Sequence, residues 1–400
     1  MATDILDKIN MGQLGQLLQQ ARKQCGMTQA DAAKVIDAAR TTMVAIEKGE
    51  RRLKPSELIK LARAYGRAVS DFVRQEDPVL QPFEVQFRAA YRRSELEESQ
   101  IEPVIRHFEE LCRNYLELEK LMDAPLPRNY PQEYQVAGMP IEPTAESLAI
   151  TERQRIGLGD SPVMMLRDIL EQVVGLRIFY IPMPGKYSEI YNYDESLGGC
   201  LAINANHPEE RRRWSLAHGY LHFLAHRRKP IFDFDGQYQR MPESEKLAEA
   251  FPKYFLMPTS SLLKRFNEIC QNQDKFTPTN LFTLAHFYGV SVQALVYRLE
   301  EIELLPSGTW ERLSDRGLKV RQVQQELGLD EIPQRPDQFP IYYQHLAIDA
   351  LDQSLITEGH FANLMGVNRL QARRIAEKLR EVERGITEEV THMDLRQVEQ

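Results

Sequence analysis

Residues 26–73 read GMTQADAAKVIDAARTTMVAIEKGERRLKPSELIKLARAYGRAVSDFV, and their punctuation decides the fold of the N-terminal part. Gly26 ends a run in which Leu14, Leu17, Leu18 and Ala21 recur at helical spacing and Arg22-Lys23 close the last turn. Thr28 suits the N-cap of a short helix, Gln29–Val35, because its hydroxyl can satisfy an orphan N–H of the first turn. Ala32 and Ala33 are small enough to let another helix cross closely. A short turn leads into Arg40–Glu47, anchored by Val44 and Ile46 and ended by Gly49. Pro55 starts a further helix, Ser56–Tyr65, whose Leu58, Leu61 and Ala62 face inward. Ser70-Asp71-Phe72-Val73 leads into a fifth. Five short helices in about 65 residues, with a tight turn between the second and third, describe a helix-turn-helix module.

The stretch resembles the Xre/Cro-like helix-turn-helix family at its Thr28-Gln29 start, at Ala33, at the Ile46-Glu47-Lys48-Gly49 close and along the Leu58/Leu61/Ala62 helix. The resemblance implies that the third helix enters the major groove of a double-stranded DNA operator, with Arg40, Thr41 and Thr42 facing bases. It also implies that Gln29 meets the backbone or a base and that Lys48, Arg51 and Arg52 neutralise phosphates. Ala39 departs from the family, where Ser is frequent, so one polar contact is expected to be missing. Against this stand a helical bundle without a DNA ligand and a protein-binding relative of the fold.

The whole chain has 400 residues and 46.4 kDa, which suggests more than one domain. Its 42% hydrophobic and 27% charged residues argue against global disorder. No apolar run approaches the roughly 18 residues of a membrane span. The acidic start, Met1-Ala-Thr-Asp4-Ile-Leu-Asp7, lacks the basic-then-apolar order of a secretory signal. Cys25, Cys112, Cys200 and Cys270 form no CxxC pair, which argues against a cysteine-based zinc knuckle and a disulfide framework. A cytoplasmic protein with no membrane partner is the expectation. Net charge is −8, yet residues 1–76 hold 13 basic against 9 acidic residues, a +4 head on a −12 body. A head of +4 binds DNA weakly alone, so a homodimer on two half-sites is expected.

Residues 94–122 read as one long amphipathic helix carrying Ile101, Val104, Ile105, Phe108, Leu111, Cys112, Tyr115, Leu116, Leu118 and Leu121. It suits a spacer, a coiled-coil dimer seam or a helix packed on its own chain. Pro125, Pro127, Pro131, Pro140 and Pro143 mark a linker. From about residue 145 the pattern becomes mixed α and β: a helix stopped by Gly175, a strand Leu176–Ile181, a strand Cys200–Asn204, then a helix Glu209–His226. That last helix carries His218, His222 and His226, four apart. A four-residue step advances about 6 Å, so His218 and His222 can share one metal ion. His218 and His226, about 12 Å apart, cannot on a regular helix. A third ligand must come from elsewhere.

Ser215-Leu-Ala-His218-Gly219-Tyr-Leu-His222, followed by Glu245-x-x-Ala248-Glu249-x-Phe251-Pro252-x-x-Phe255-Leu-Met-Pro258, resembles the ImmA/IrrE-type metallopeptidase-like domain. The resemblance implies zinc held by His218, His222 and Glu245, the two-His-one-carboxylate set of a zinc peptidase. It departs where H-E-x-x-H places its general base, which here is Gly219. Losing a general base typically forfeits about 10²–10⁴-fold in rate. Glu249 and Pro252 also depart, where the family has Asn and Ala. Three readings follow: a site that keeps zinc without peptidase activity, a scaffold that has lost both, or a peptidase whose base is Glu249 or a nearby Tyr. A packed, hydrogen-bonded face would explain the histidines without any metal.

Leu281, Leu284, Ala285 and Phe287, then Gly289-Val290-Ser291 and Ala294, Leu295 and Leu299, lay out a second helix-turn-helix-like pair that the resemblance treats as structural. Phe361, Ala362 and Leu364, then Gly366-Val367-Asn368 and a helix bearing Arg369, Arg373 and Arg374, repeat the layout. This last pair suits either DNA contact or packing and dimerisation. Residues 384–400 are polar and expected to fray.

The fold class expected is mainly α with a small β component. Residues 1–76 form the helix-turn-helix domain, 77–144 the connector with its long helix and linker, 145–305 an α+β zincin-like domain, and 306–400 a helical C-terminal region. The expected function is that of an operator-binding transcriptional regulator. Its pseudo-peptidase body would sense a small molecule, metal or protein effector. The alternatives are a zinc peptidase that cleaves a repressor or itself, and an antitoxin that binds a toxin.

Overall fold

The computed structural model describes residues 11–67, 69, 72, 83, 98–234, 241–273, 275–329 and 338–384. They belong to two compact units, Met1–Leu80 and Gln81–Gln400. The protein is mainly helical with a small sheet, and no described helix is long and apolar enough to cross a membrane.

The first unit holds α1 (Met11–Gln24), α2 (Gln29–Val35), α3 (Arg40–Glu47) and α4 (Pro55–Ala64). Thr28 caps α2, accepting from the Asp31 N–H while Asp31 accepts from the Thr28 N–H, both at 3.2 Å. Leu14, Leu18, Ala32, Ala33, Met43, Ile46, Leu58 and Leu61 are buried together as its core. The fifth helix, into which residues 70–73 were expected to lead, falls outside the described residues except for Phe72.

The second unit is built on a four-stranded sheet of order β1-β3-β2-β4, with β1 (Arg177–Ile181), β2 (Tyr187–Asp194), β3 (Gly198–Asn204) and β4 (Ile231–Phe234). β1 and β3 are parallel, while β3–β2 and β2–β4 are antiparallel. Both faces of β1 are covered. Ile178 and Tyr180 join the main apolar core. Phe179, on the opposite face, meets the rings of Phe108, Tyr115 and Tyr343.

Phe108 and Tyr115 belong to α5 (Glu98–Met122), the long helix. Its Ile101, Ile105, Phe108, Leu111, Cys112, Tyr115 and Leu118 are buried. Arg177, fully buried on β1, donates to both carboxylate oxygens of Glu119 at 2.5 and 2.6 Å. The Tyr115 hydroxyl donates to Glu171 at 2.7 Å. Of the three roles the sequence leaves open for this helix, the packing satisfies that of a helix docked on its own chain. The proline stretch after it departs from a linker. The Asn129 N–H donates to the Val174 carbonyl, the Tyr134 N–H to the Leu224 carbonyl, and Arg128 to the carbonyls of Glu195 and Ser196. Prolines exclude a helix there, and the body supplies the partners that an extended strap needs.

α6 (Ile141–Arg155) packs on α9 (Glu243–Leu256), and α9 on α8 (Glu209–Ala225), which lies against β2 and β3. Between α6 and the sheet runs α7 (Leu166–Ile169), continued by a π turn through Val174 and stopped by Gly175. α10 (Thr259–Asn272), α11 (Pro278–Tyr288), α12 (Val292–Glu301), α13 (Thr309–Asp315) and α14 (Val320–Glu326) follow. The last helices are α15 (Ile341–Asp352), α16 (Glu358–Leu364) and α17 (Arg369–Arg384).

Candidate functional sites

In the first unit, α3 is held by one buried carboxylate. Glu47, at its C-terminal end, accepts from Arg22 Nε at 2.6 Å and Nη2 at 3.1 Å, from Gln29 Nε2 at 2.9 Å and from Gln19 Nε2 at 3.4 Å. Arg22 also donates to the Met27 carbonyl at 2.8 Å, so one guanidinium ties α1 to α3 and to the loop before α2. Burial works against ionised Glu47, but the Arg22 and Gln29 hydrogen bonds outweigh it and hold the carboxyl below its ordinary range.

With its inner face fixed, α3 turns Arg40 and Thr41 outward, both exposed, and Thr42 half-buried. Ala39 provides no side-chain cap. Lys48 and Arg52 are exposed. Arg51 is engaged with Glu57 at 2.9 Å, and the Gln29 amide nitrogen is spent on Glu47. Neither side chain therefore reaches outward as freely as Arg40. Arg22 and Glu47 went unassigned in the sequence; their signal was a Glu on the helix that also carries Met43 and Ile46.

In the second unit, α8 and the first turn of α9 bring His218, His222 and Glu245 together, all buried. Glu245 Oε2 lies 3.3 Å from His222 Nε2 and 3.7 Å from His218 Nε2. Zinc–ligand bonds of about 2.0–2.1 Å imply tetrahedral edges of about 3.3–3.4 Å, so these separations suit one ion. His218 Nε2 and Glu245 Oε1 are buried yet make no hydrogen bond among the described residues. Orphaned polar atoms of that kind cost about 1–3 kcal/mol each, which a metal would remove. The donor set therefore fits zinc. His226 caps the end of α8 with Nδ1 3.3 Å from His222 Nδ1, on the far ring edge from Glu245.

The residue that sequence reasoning missed is Glu189 on β2. It accepts from His218 Nδ1 at 2.8 Å, which leaves Nε2 as the ligand atom. Burial would push His218 down, but the Glu189 carboxylate outweighs it and raises the imidazole to about 10. Burial lifts Glu189 itself to about 7, against the pull of His218. Burial and the charge of His218 take His222 down to about 4, while Glu245, despite its burial, is drawn down to about 2 by the two imidazoles. Asp233 and Glu249 also come close to His218, each offering an oxygen within 4.8 Å of it and of the other.

Gly219 lies in the middle of α8 with no room beside it. A Cβ there would overlap Leu201 Cδ2 and come within 3.0 Å of Glu189 Oε1. The place where H-E-x-x-H would carry its base is therefore filled by the Leu201 side chain and bordered by the carboxylate that orients His218.

Residues 13–72 match the family of helix-turn-helix domains, and residues 171–300 match the IrrE N-terminal-like domain. The chain thus carries a helix-turn-helix domain fused to an ImmA/IrrE-type domain. No curated protein matches it. The crystal structure of ComR from Streptococcus suis aligns over 94% of this chain and 96% of its own at 12% identity, with a TM-score of 0.16, a likeness that carries no argument.

Proposed function

We propose that this fusion of a helix-turn-helix domain with an ImmA/IrrE-type domain is a sequence-specific, operator-binding transcriptional regulator that acts as a homodimer in the cytoplasm. Its parts are residues 1–76 as the DNA reader, 77–144 as the connector, 145–305 as a pseudo-peptidase and 306–400 as a helical C-terminal region. The DNA reading is supported by the outward face of α3, where Arg40 and Thr41 are exposed while Glu47 and Arg22 fix the inner face. Arg40→Ala is expected to weaken operator binding by about 1–3 kcal/mol, the worth of one good base contact. Equilibrium titration against an operator selected by the wild-type chain reads this out. Unchanged affinity would place the recognition helix elsewhere.

The single observation that carries the regulatory reading over the enzymatic one is Gly219. It cannot take a proton, and Leu201 and Glu189 fill the space of the missing side chain. The body then acts as a sensor whose effector favours one of two states by binding it more tightly. His218, His222 and Glu245 are the residues that would hold zinc, with Glu189 fixing the His218 tautomer. Zinc bound there would supply Lewis-acid polarisation and a strong local positive charge. Atomic spectroscopy is expected to find about one zinc per purified chain, and none after His218→Ala/His222→Ala. Absence of zinc from both proteins would leave a scaffold for another ligand.

A zinc peptidase remains the second reading because the three ligands converge and Glu249 lies close by. Metal-dependent cleavage of a repressor or of the chain itself, abolished by His222→Ala, would replace the sensor reading with this one.

A further inference from the structure

The turn that joins α2 to α3 is a common helix-ending form, found among the described residues also at Gly26 before α2 and at Gly317 before α14. The pairs α2–α3, α11–α12 and α16–α17 share it together with a buried alanine as the acceptor. In each of these three copies one residue has positive φ: Asp37 at 53°, Gly289 at 62° and Gly366 at 62°. In each, that residue donates its N–H to the carbonyl three back: Lys34, His286 and Asn363. The next residue donates to an alanine: Ala38 to Ala33, Val290 to Ala285 and Val367 to Ala362. All three alanines are buried. The following helix always starts three residues after the positive φ, at Arg40, Val292 and Arg369. Two further offsets are buried in every copy, at Met43, Leu295 and Ala372, and at Glu47, Leu299 and Ala376. The second helix of each pair therefore turns the same side inward.

What the outer sides carry differs. In α12, Val292 and Val296 are also buried in the main core, so its outer side is spent on the body. α17 is otherwise. Arg369, Leu370, Gln371, Arg373, Arg374 and Lys378 are exposed, with Leu370 at 64%. Arg369 and Leu370 occupy the positions of Arg40 and Thr41, and Arg374 that of Ala45. Arg373 pairs with Glu358 at 2.9 Å, and Glu377 is exposed on the same side. Arg369, Arg374 and Lys378 make no ion pair among the described residues. Behind the pair, α15 packs on both α16 and α17. Asn368 caps α17, accepting from the Gln371 N–H at 2.9 Å. The basic side is thus carried by a capped helix packed within a three-helix unit.

We propose that α16–α17 is a second duplex-DNA-binding helix-turn-helix, with α17 lying in the groove and Arg369, Arg374 and Lys378 meeting phosphates and base edges. The proposal rests on α2–α3 being a DNA reader, since α17 is matched to α3 by the buried alanine acceptor and the two inward offsets together, and the turn by itself also precedes α2 and α14. Row-wise basic charge on an exposed, capped helix suits a polyanionic duplex better than a protein face, which would favour apolar or aromatic anchors.

The test titrates the full-length chain with a mixed-sequence duplex over a series of salt concentrations. Four proteins are compared: wild type, Arg40→Ala/Thr41→Ala, Arg369→Gln/Arg374→Gln/Lys378→Gln, and the combination. Each phosphate contact contributes about 0.9 to the slope of log affinity against log salt. The α17 triple variant is expected to lower that slope by about 2–3 and the affinity by about tenfold, in both the wild-type and the α3-variant backgrounds. Arg369→Lys/Arg374→Lys should retain the slope, which separates charge from folding. Unchanged slope and affinity in a triple variant that melts like wild type would overturn the inference and leave α3 untouched. Loss of self-association with DNA binding intact would overturn it too, making the face a dimer contact. Loss of duplex binding on changing α17 but not α3 would support the inference while overturning the assignment of α3.

Discussion

Arg22→Met is expected to cost the N-terminal unit about 3–5 kcal/mol, because it strands a carboxylate in the core without its cation. Glu47 is 4% exposed, and two of its hydrogen bonds come from Arg22. Small domains hold only about 5–15 kcal/mol in total, so such a loss brings the unit near its unfolding midpoint. Both tryptophans, Trp214 and Trp310, lie in the second unit, and their fluorescence would miss the event. Backbone hydrogen exchange across α1–α4 is the measurement. The double change Arg22→Met/Glu47→Leu should recover most of the loss, since an apolar pair of similar volume replaces a buried ion pair at little cost. A single-variant loss below about 1 kcal/mol would show that Gln19 and Gln29 suffice for Glu47.

The same pair sets an acid limit. Glu47 is held below its unfolded value near 4.3, so its contribution is complete above that pH and is lost as pH falls through the folded value. Arg22→Met should flatten this acid limb, because the partner that depresses Glu47 is gone. The link to function is direct. The residues that hold Glu47 also fix the angle at which α3 presents Arg40, so operator affinity should fall alongside stability.

How much of this was legible in the sequence varied with burial pattern. α1–α4 followed from N-caps, glycine stops and a 3.6-residue apolar period, and each helix lies where those signals put it, to within a residue or two. β2 and β4 went unread. β2, Tyr187–Asp194, is buried on both faces over most of its length, so polar Ser188, Glu189 and Asn192 lie inside and no period-two alternation survives. That loss also hid Glu189, the partner of His218. A carboxylate that acts through strand pairing and a helix packed across it leaves no spacing signal beside the histidine motif. The pairing of His218 with His222 was readable because they lie one helical turn apart, whereas Glu245 was named only through the resemblance, by its place in the ImmA/IrrE-type motif. The proline strap misled for a local reason. Proline reports that a helix is excluded, and says nothing of whether the extended segment that results is tied down elsewhere.

Gly219→Glu, which would restore the H-E-x-x-H pattern on paper, is expected to destabilise the body by about 3 kcal/mol or more and to yield no peptidase. Its Cβ alone would displace Leu201, a fully buried core residue on β3. Overpacking of that kind costs about 1–3 kcal/mol, offset by about 1 kcal/mol for removing a glycine from a helix interior. Gly219→Ala isolates this packing part and should cost about 0–2 kcal/mol on those two effects. The larger loss comes from charge. Glu189 Oε1 would lie 3.0 Å from the new Cβ, and burial already lifts that carboxyl to about 7. A second buried carboxylate must either stay protonated, and so be useless as a base, or repel Glu189 from His218 Nδ1 and release the ring that it orients. Tryptophan fluorescence during urea unfolding follows the body, and zinc content and repressor cleavage follow the site. A Gly219→Glu protein that keeps wild-type stability and gains metal-dependent cleavage would show that the space is open and that only the base was missing. Otherwise, β2 has supplied a carboxylate where α8 gave one up. The exchange keeps His218 oriented for a ligand while leaving position 219 itself without a group to take a proton from water.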